Sequence, residues 1–217
     1  MIIPFRKKHS ETIFLDKIAI TLTVTVVAIL VSYFFCDLPI AESLKRAPNM
    51  WKKTGKLISK LIDPSSLYFA FPILFFIVRF LYKNEKWGNR LLLLIIAVPG
   101  ANLVSGCMKM LLGRARPEAF FANKVYTFSI LSHNDAFLSF PSGHAATIGA
   151  ICGAFVCFYP RLWGPLLAIA SLLAFSRILA GAHYLSDIVA GVAVGLLTSQ
   201  AIYTIMKRQR FAFDPHF

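Results

Sequence analysis

The chain has 217 residues, 57% of them hydrophobic, with a mean hydropathy of +0.66 and a formal net charge of +13. Soluble domains run about 45–50% apolar; the excess here is gathered into blocks of bilayer-crossing length, which excludes an ordinary soluble domain and predicts a single membrane-embedded domain over 1–217. The positive charge implies no nucleic acid, because basic residues flank the apolar blocks where they meet anionic headgroups, and Cys36, Cys107, Cys152 and Cys157 form no CxxC or Cys/His pattern that would suggest disulfides or zinc.

Arg6, Lys7, Lys8, Asp16 and Lys17 precede the first apolar run, Ile18 to Cys36. No small-residue cleavage pattern follows it, so the expectation is a retained first span, not a removed signal peptide. The next stretch holds Lys45, Arg46, Lys52, Lys53, Lys56 and Lys60 against Glu42 and Asp63. Leu57, Ile58, Leu61 and Ile62 fall on one helical face and the lysines largely on the other, which reads as an amphipathic helix in the interface or as a solvated charged loop. The second apolar segment, Leu67 to Tyr82, carries Arg79 near its end, where it can snorkel. The third runs from Leu91 to Met108 with Pro99 and Gly100 as a kink. Ala145 to Tyr159 and Leu162 to Ser176 are short for spans, so each is expected to extend into a neighbouring motif. The last runs from Ile188 to Met206. The predicted fold class is all-α: a polytopic membrane protein of six transmembrane helices, with an interfacial amphipathic helix in the first outer loop.

Six spans put both termini on one side. Arg6, Lys7, Lys8 and Lys17, with Lys207, Arg208 and Arg210, and Lys83, Lys86, Arg90 and Arg161 in two loops, make that side cytoplasmic. The loops Asp37 to Ser66 and Gly113 to Pro141 then face outward. The basic first outer loop runs against this rule, and the interfacial helix is its explanation.

Three clusters carry chemistry, and each lies at the outer end of a span. They are Lys109-Met-Leu-Leu-Gly-Arg-Ala-Arg116-Pro117, then Pro141-Ser142-Gly143-His144, then Ser176-Arg177 followed by His183 and Asp187. Ionisable groups at membrane depth are costly and pair with something. Lys109, Arg116 and Arg177 suit a phosphate, whose oxygens match guanidinium forks and a lysine point charge. Arg114, nearby, reads as a topology anchor. Ser142 reads as an N-cap, leaving a helix N-terminus of the kind that binds phosphate, and Gly143 permits close backbone approach. His183 and Asp187 stand four residues apart, so a helix beginning near His183 would put both on one face. A carboxylate on one imidazole nitrogen fixes the tautomer and makes the other a better nucleophile.

Together these clusters resemble the signature of the type 2 phosphatidic acid phosphatase superfamily: lysine, six residues, arginine-proline; proline-serine-glycine-histidine; serine-arginine, five residues, histidine, three residues, aspartate. Every fixed position is met between Lys109 and Asp187. The resemblance implies that His183 attacks phosphorus and forms a phosphohistidine, and that Asp187 orients and activates it. It implies that His144 protonates the leaving oxygen and then activates water. Lys109, Arg116, Ser142, the Gly143 amide and Arg177 would hold the phosphate. No metal site and no cofactor is called for.

Phe120, Phe121, Tyr126, Phe128, Phe137 and Phe140 crowd the loop between the first two motifs, either beside a lipid tail or as interface anchors. His133, Asn134 and Asp135 stand there as candidate headgroup contacts. The implied activity is hydrolysis of a phosphate monoester or pyrophosphate on a lipid: undecaprenyl pyrophosphate, lipid A, phosphatidylglycerol phosphate or phosphatidic acid. Implied partners are that substrate and the membrane lipids; the oligomeric state is left open. The expected location is the bacterial inner membrane, with the site facing the periplasm or cell exterior. A vanadate-dependent haloperoxidase-like enzyme shares such a pocket but is soluble. A non-catalytic phosphate-binding membrane protein would not need the full catalytic set.

Overall fold

A computed structural model describes residues 20–213. Arg6, Lys7, Lys8, Asp16 and Lys17, the first two residues of the first apolar run, and the residues from 214 onward lie outside them. Among the described residues the chain forms eight α-helices, with short 3-10 turns at Asp135–Phe137 and Pro160–Leu162. Helix α1 runs Ile20–Arg46 through a π-helical stretch at Ser32–Cys36. Helix α2 is Asn49–Leu61, and α3 is Pro64–Phe76, prolonged by π-helical turns over Ile77–Leu81. Helix α4, Glu85–Leu112, continues through Pro99. A short α5, Pro117–Asn123, precedes α6, Gly143–Phe158. Helices α7, Trp163–Leu179, and α8, Leu185–Arg208, complete the bundle.

Five helical runs are long and apolar enough to cross a membrane: Ile20–Arg46, Asn49–Leu81, Glu85–Leu112, Pro160–Leu179 and Leu185–Arg208. Each predicted apolar segment within the described residues lies in a helix. The fourth, Gly143–Phe158, is apolar but has only 16 residues. Its shortness has a physical reason. This helix starts at the Pro141–His144 motif and is sheathed by other helices, with Ala145 to Ala150 almost entirely buried. A helix wrapped in protein need not match the bilayer thickness.

Apolar burial gives little preference between neighbouring helices in lipid, so close packing and interhelical hydrogen bonds decide contacts. Helices α6 and α8 meet through small residues. A side-chain carbon at Gly149 would fall on the Val192 backbone, and one at Gly195 on the backbones of Ala146 and Ala150. One at Gly191 would lie 2.5 Å from the Ser142 carbonyl oxygen. Ser199 donates to the Ala150 carbonyl at 2.6 Å, and Asn102 of α4 donates to Thr147 of α6 at 2.7 Å. This packing locks the start of α6, with His144, against the start of α8, with Asp187.

The antiparallel alternation of the spans gathers the C-terminal ends of α1, α4 and α7 with the N-terminal ends of α6 and α8. All three motifs therefore meet at one end. The opposite end has its own cluster, where Arg90 donates to the Tyr159 hydroxyl at 2.9 Å. Gly191→Ala should lose about 1–3 kcal/mol of stability through overpacking and lower activity with it. Gly106→Ala, where an added carbon meets nothing within 4 Å, should change neither. Thermal unfolding in detergent reads both, and an unaffected Gly191→Ala would mean the α6–α8 contact can relax freely.

Candidate active site

The chain enters the site through Gly113, which ends α4 at φ +57°, a left-handed conformation glycine adopts at no cost. The turn drives Arg114 inward, where it is 1% exposed. Its Nη2 donates to Asp37 Oδ2 at 2.7 Å and to the Tyr126 hydroxyl at 2.9 Å. Its Nη1 donates to Ser186 Oγ at 2.6 Å and to Asp187 Oδ1 at 2.5 Å. Tyr33, Tyr126, Phe128 and Tyr184 present ring faces to the guanidinium, with centroids 4.4–5.8 Å away. Burial opposes the charge, but Asp187 and Asp37 outweigh it and hold the group above even its ordinary range. Arg114 is therefore no topology anchor. It is the buried hub of the site, and the sequence reading is corrected on that point.

Asp187 is completely buried. Its second oxygen accepts from Ser139 Oγ at 2.6 Å and from the Tyr184 amide at 2.9 Å. The same oxygen faces His183 Nδ1 at 3.5 Å. The expected pairing of His183 with Asp187 is present, but by a different route: α8 begins at Leu185, after His183, and the Asp187 carboxylate caps its own helix while reaching back to the ring. At 3.5 Å the contact is long for a hydrogen bond. With Nδ1 turned to Asp187, the other ring nitrogen faces away from it. Burial pushes the His183 pKa down to about 4 against the opposing pull of Asp187, so the ring is neutral at pH 7.

The phosphate-binding candidates are held by backbone carbonyls. Lys109 Nζ donates to the Leu138 carbonyl at 2.8 Å, and Arg116 Nη2 to the same oxygen at 3.3 Å. Arg116 Nε donates to the Asp135 carbonyl at 2.9 Å. Arg177 keeps a buried Nε with no hydrogen-bond partner among the described residues. Lys109 and Arg116 are near enough to His183 for their charges to bear on it. Ser142 caps α6 as expected, accepting from the Ala145 amide at 3.4 Å, and its own amide donates to the Asp187 carbonyl at 3.0 Å. Gly143 sits against Asn102: an added carbon would lie 3.2 Å from its side-chain oxygen. His144 Nε2 lies 3.9 Å from Asp63 Oδ1 at the head of α3.

The sequence reading missed Asp37, Ser139, Ser186 and Asp63. A carboxylate at the end of an apolar span was the available signal for Asp37, since such a group needs a partner. The loop aromatics divide: Tyr126 and Phe128 surround Arg114, whereas Phe121 lines a cavity beside the site. His133, Asn134 and Asp135 are exposed, and Asp135 reaches the site through its carbonyl. Among the described residues no group of three or more His, Cys, Asp or Glu side chains is arranged to hold a metal ion.

Arg114→Gln should leave two buried carboxylates without their cation and cost about 3–5 kcal/mol, seen as a large drop in melting temperature. Asp37→Asn alone should also destabilise. The double variant should lose less than the sum of the two, since the groups share one network. Strict additivity would mean the two side chains do not act as a pair.

A sequence model of the PAP2 superfamily matches residues 88–211. The lipid A 1-phosphatase of Rhizobium johnstonii is 35% identical over 186 residues, covering 80% of this chain and 75% of that protein. The crystal structure of Aquifex aeolicus LpxE shares the fold at a TM-score of 0.56 and 20% identity, over 79% of this chain and 96% of its own. That of the transmembrane PAP2 type phosphatidylglycerolphosphate phosphatase of Bacillus subtilis does so at 0.58 and 19%, over 86% and 96%.

Proposed function

The chain belongs to the PAP2 superfamily, and from that membership we propose that His183, His144 and Asp187 hydrolyse a lipid phosphate in two steps through a phosphohistidine. The protein is an integral membrane phosphatase acting on a phosphate monoester or pyrophosphate of a lipid. The observation that carries the mechanism is the neutral, buried His183, with Nδ1 against Asp187 and the charges of Lys109 and Arg116 bearing on it.

In the first step His183 Nε2 attacks phosphorus and an N–P bond forms. The bond to the leaving oxygen breaks, and its electron pair stays with that oxygen, which takes the proton that His144 carries once the phosphate anion is bound among the cations. The ring of His183 becomes cationic, and Asp187 opposite Nδ1 offsets that charge. Lys109, Arg116 and Arg177 stabilise the equatorial oxygens. In the second step neutral His144 takes a proton from water as the water attacks phosphorus. The N–P bond breaks, its electron pair returns to Nε2, and inorganic phosphate leaves. Ser142 and the Gly143 amide, at the start of α6, complete the cradle.

The substrate this reading favours is a lipid A-type glycolipid phosphate, the group named for the Rhizobium johnstonii relative. The location proposed is the bacterial inner membrane with the site toward the periplasm, an orientation supported by Lys83, Lys86, Arg161, Lys207 and Arg208 at the end opposite the motifs. The described helices are read as one membrane-embedded domain. Helix α2 lies in the outer interface, exposing Leu57 and Leu61 toward lipid.

His183→Ala should abolish phosphate release and covalent labelling by a radioactive lipid phosphate, with the wild type remaining active in excess EDTA. His144→Ala should slow turnover about 10²–10⁴-fold, least on substrates with good leaving groups, and accumulate acid-labile phosphoenzyme. Phosphoenzyme in His183→Ala but not in His144→Ala would reverse the two roles. For topology, a cysteine replacing Ala122, with the four native cysteines substituted, should react with an impermeant maleimide from outside the inner membrane. Labelling only from the cytoplasm would turn the site inward.

A further inference from the structure

A cavity of about 620 Å³ opens beside His183. Cavities of roughly 300–1,000 Å³ accommodate whole small molecules, so this one exceeds what a lone phosphate needs. Its floor is the end of α7 and the turn that follows it, from Ile178 to His183. One wall is the end of α1 and the inner face of α2, with Lys45, Lys52 and Lys56. The other wall is α5, with Arg116, Glu118 and Phe121. Four cations against one carboxylate make the lining strongly positive.

The lysines are placed there by packing. Helix α2 seats on the end of α7: a carbon added at Gly55 would lie 2.6 Å from the Ala180 amide nitrogen, and Ser59 and Ser176 pair their hydroxyls at 3.1 Å. That contact fixes the rotation of α2. Lys52 and Lys56, one turn apart, line the cavity, whereas Lys53 and Lys60 do not. The Lys52 stem reaches within 4.0 Å of where a carbon on Gly181 would sit, two residues from His183. Lys45 Nζ stands 5.3 Å above the Phe121 ring. Among the described residues, Lys45, Lys52 and Lys56 form no ion pair with a carboxylate.

We propose that this cavity is a headgroup subsite in which Lys45, Lys52 and Lys56 hold a second anionic group of the substrate, a phosphate or carboxylate distant from the phosphate being cleaved. The inference rests on the lipid phosphatase reading and narrows it. The favoured substrate has a headgroup as large as a phosphorylated sugar, with one anion at His183 and another at α2. Such a subsite gives the basic outer loop a role in selectivity as well as in anchoring.

The test compares two lipids in phosphatidylcholine micelles: phosphatidic acid, with one phosphate, and a disaccharide lipid phosphorylated at both ends. Wild type should favour the second in kcat/KM. Lys52→Gln with Lys56→Gln should lower that preference about tenfold or more, largely through KM. Arginine at both positions should restore it, and Lys53→Gln with Lys60→Gln should leave it unchanged. An unchanged preference in the Lys52/Lys56 variant would overturn the subsite. So would a loss equal on both lipids, or one that appears only when phosphatidylglycerol is added, because the lysines would then serve the bilayer. Failure of wild type to release phosphate from either lipid would instead remove the phosphatase reading itself.

Discussion

One guanidinium, that of Arg114, holds this site together. It bridges Asp37 at the end of the first apolar run and Asp187 at the start of the last helix, two carboxylates 150 positions apart in the chain. Each of the three groups would be prohibitive to bury alone. Together, with hydroxyls from Ser186, Ser139 and Tyr126 and four aromatic faces around them, they satisfy one another. Desolvation makes the arrangement demanding: a buried cluster of this kind is tolerated only where its members stay in close, well-oriented contact. The same rigidity fixes where Asp187 points, and hence which nitrogen of His183 it meets.

Packing beneath the network supports it. Helices α6 and α8 approach through glycines, so the Ser142 amide can donate to the Asp187 carbonyl at 3.0 Å. That hydrogen bond joins the second motif to the third. The first motif joins through Ser139, whose amide donates to the Arg114 carbonyl at 3.0 Å while its hydroxyl donates to Asp187. A single serine outside every recognisable motif thus ties the loop to the carboxylate.

Much of this was legible from residues alone. The apolar runs marked the helices because bilayer length imposes itself on composition, and the three motifs, with their clustered cations, are the segments the fold brings together at one end. The identity of the hub was not legible. Arg114 and Arg116 are separated by one residue and look equivalent in sequence. Gly113 turns the first inward to two carboxylates, while the second stays half-buried on backbone carbonyls. Nothing local to Asp37 names its partner, since the contact is made by folding the first helix against the last. The lysines of α2 read as one basic face. Only the seating of Gly55 and Ser59 on α7 separates those that turn to the cavity from those that do not.

The division of charge that results explains why the site suits an anion. Arg114 is committed to two carboxylates, and Asp187 makes its ion pair with Arg114, so the remaining cations of the site keep a net excess of positive charge. Lys109 and Arg116 are anchored by carbonyl oxygens of Leu138 and Asp135. A carbonyl dipole orients a cation without cancelling its charge. Like charges gathered in this way repel, and the fold bears that repulsion before any substrate arrives. In the proposed mechanism an incoming phosphate relieves it, and the charge on its equatorial oxygens in the transition state would meet donors that need not reorganise. The buried Arg114 network makes this possible, because it supplies the rigidity that holds mutually repelling groups in place.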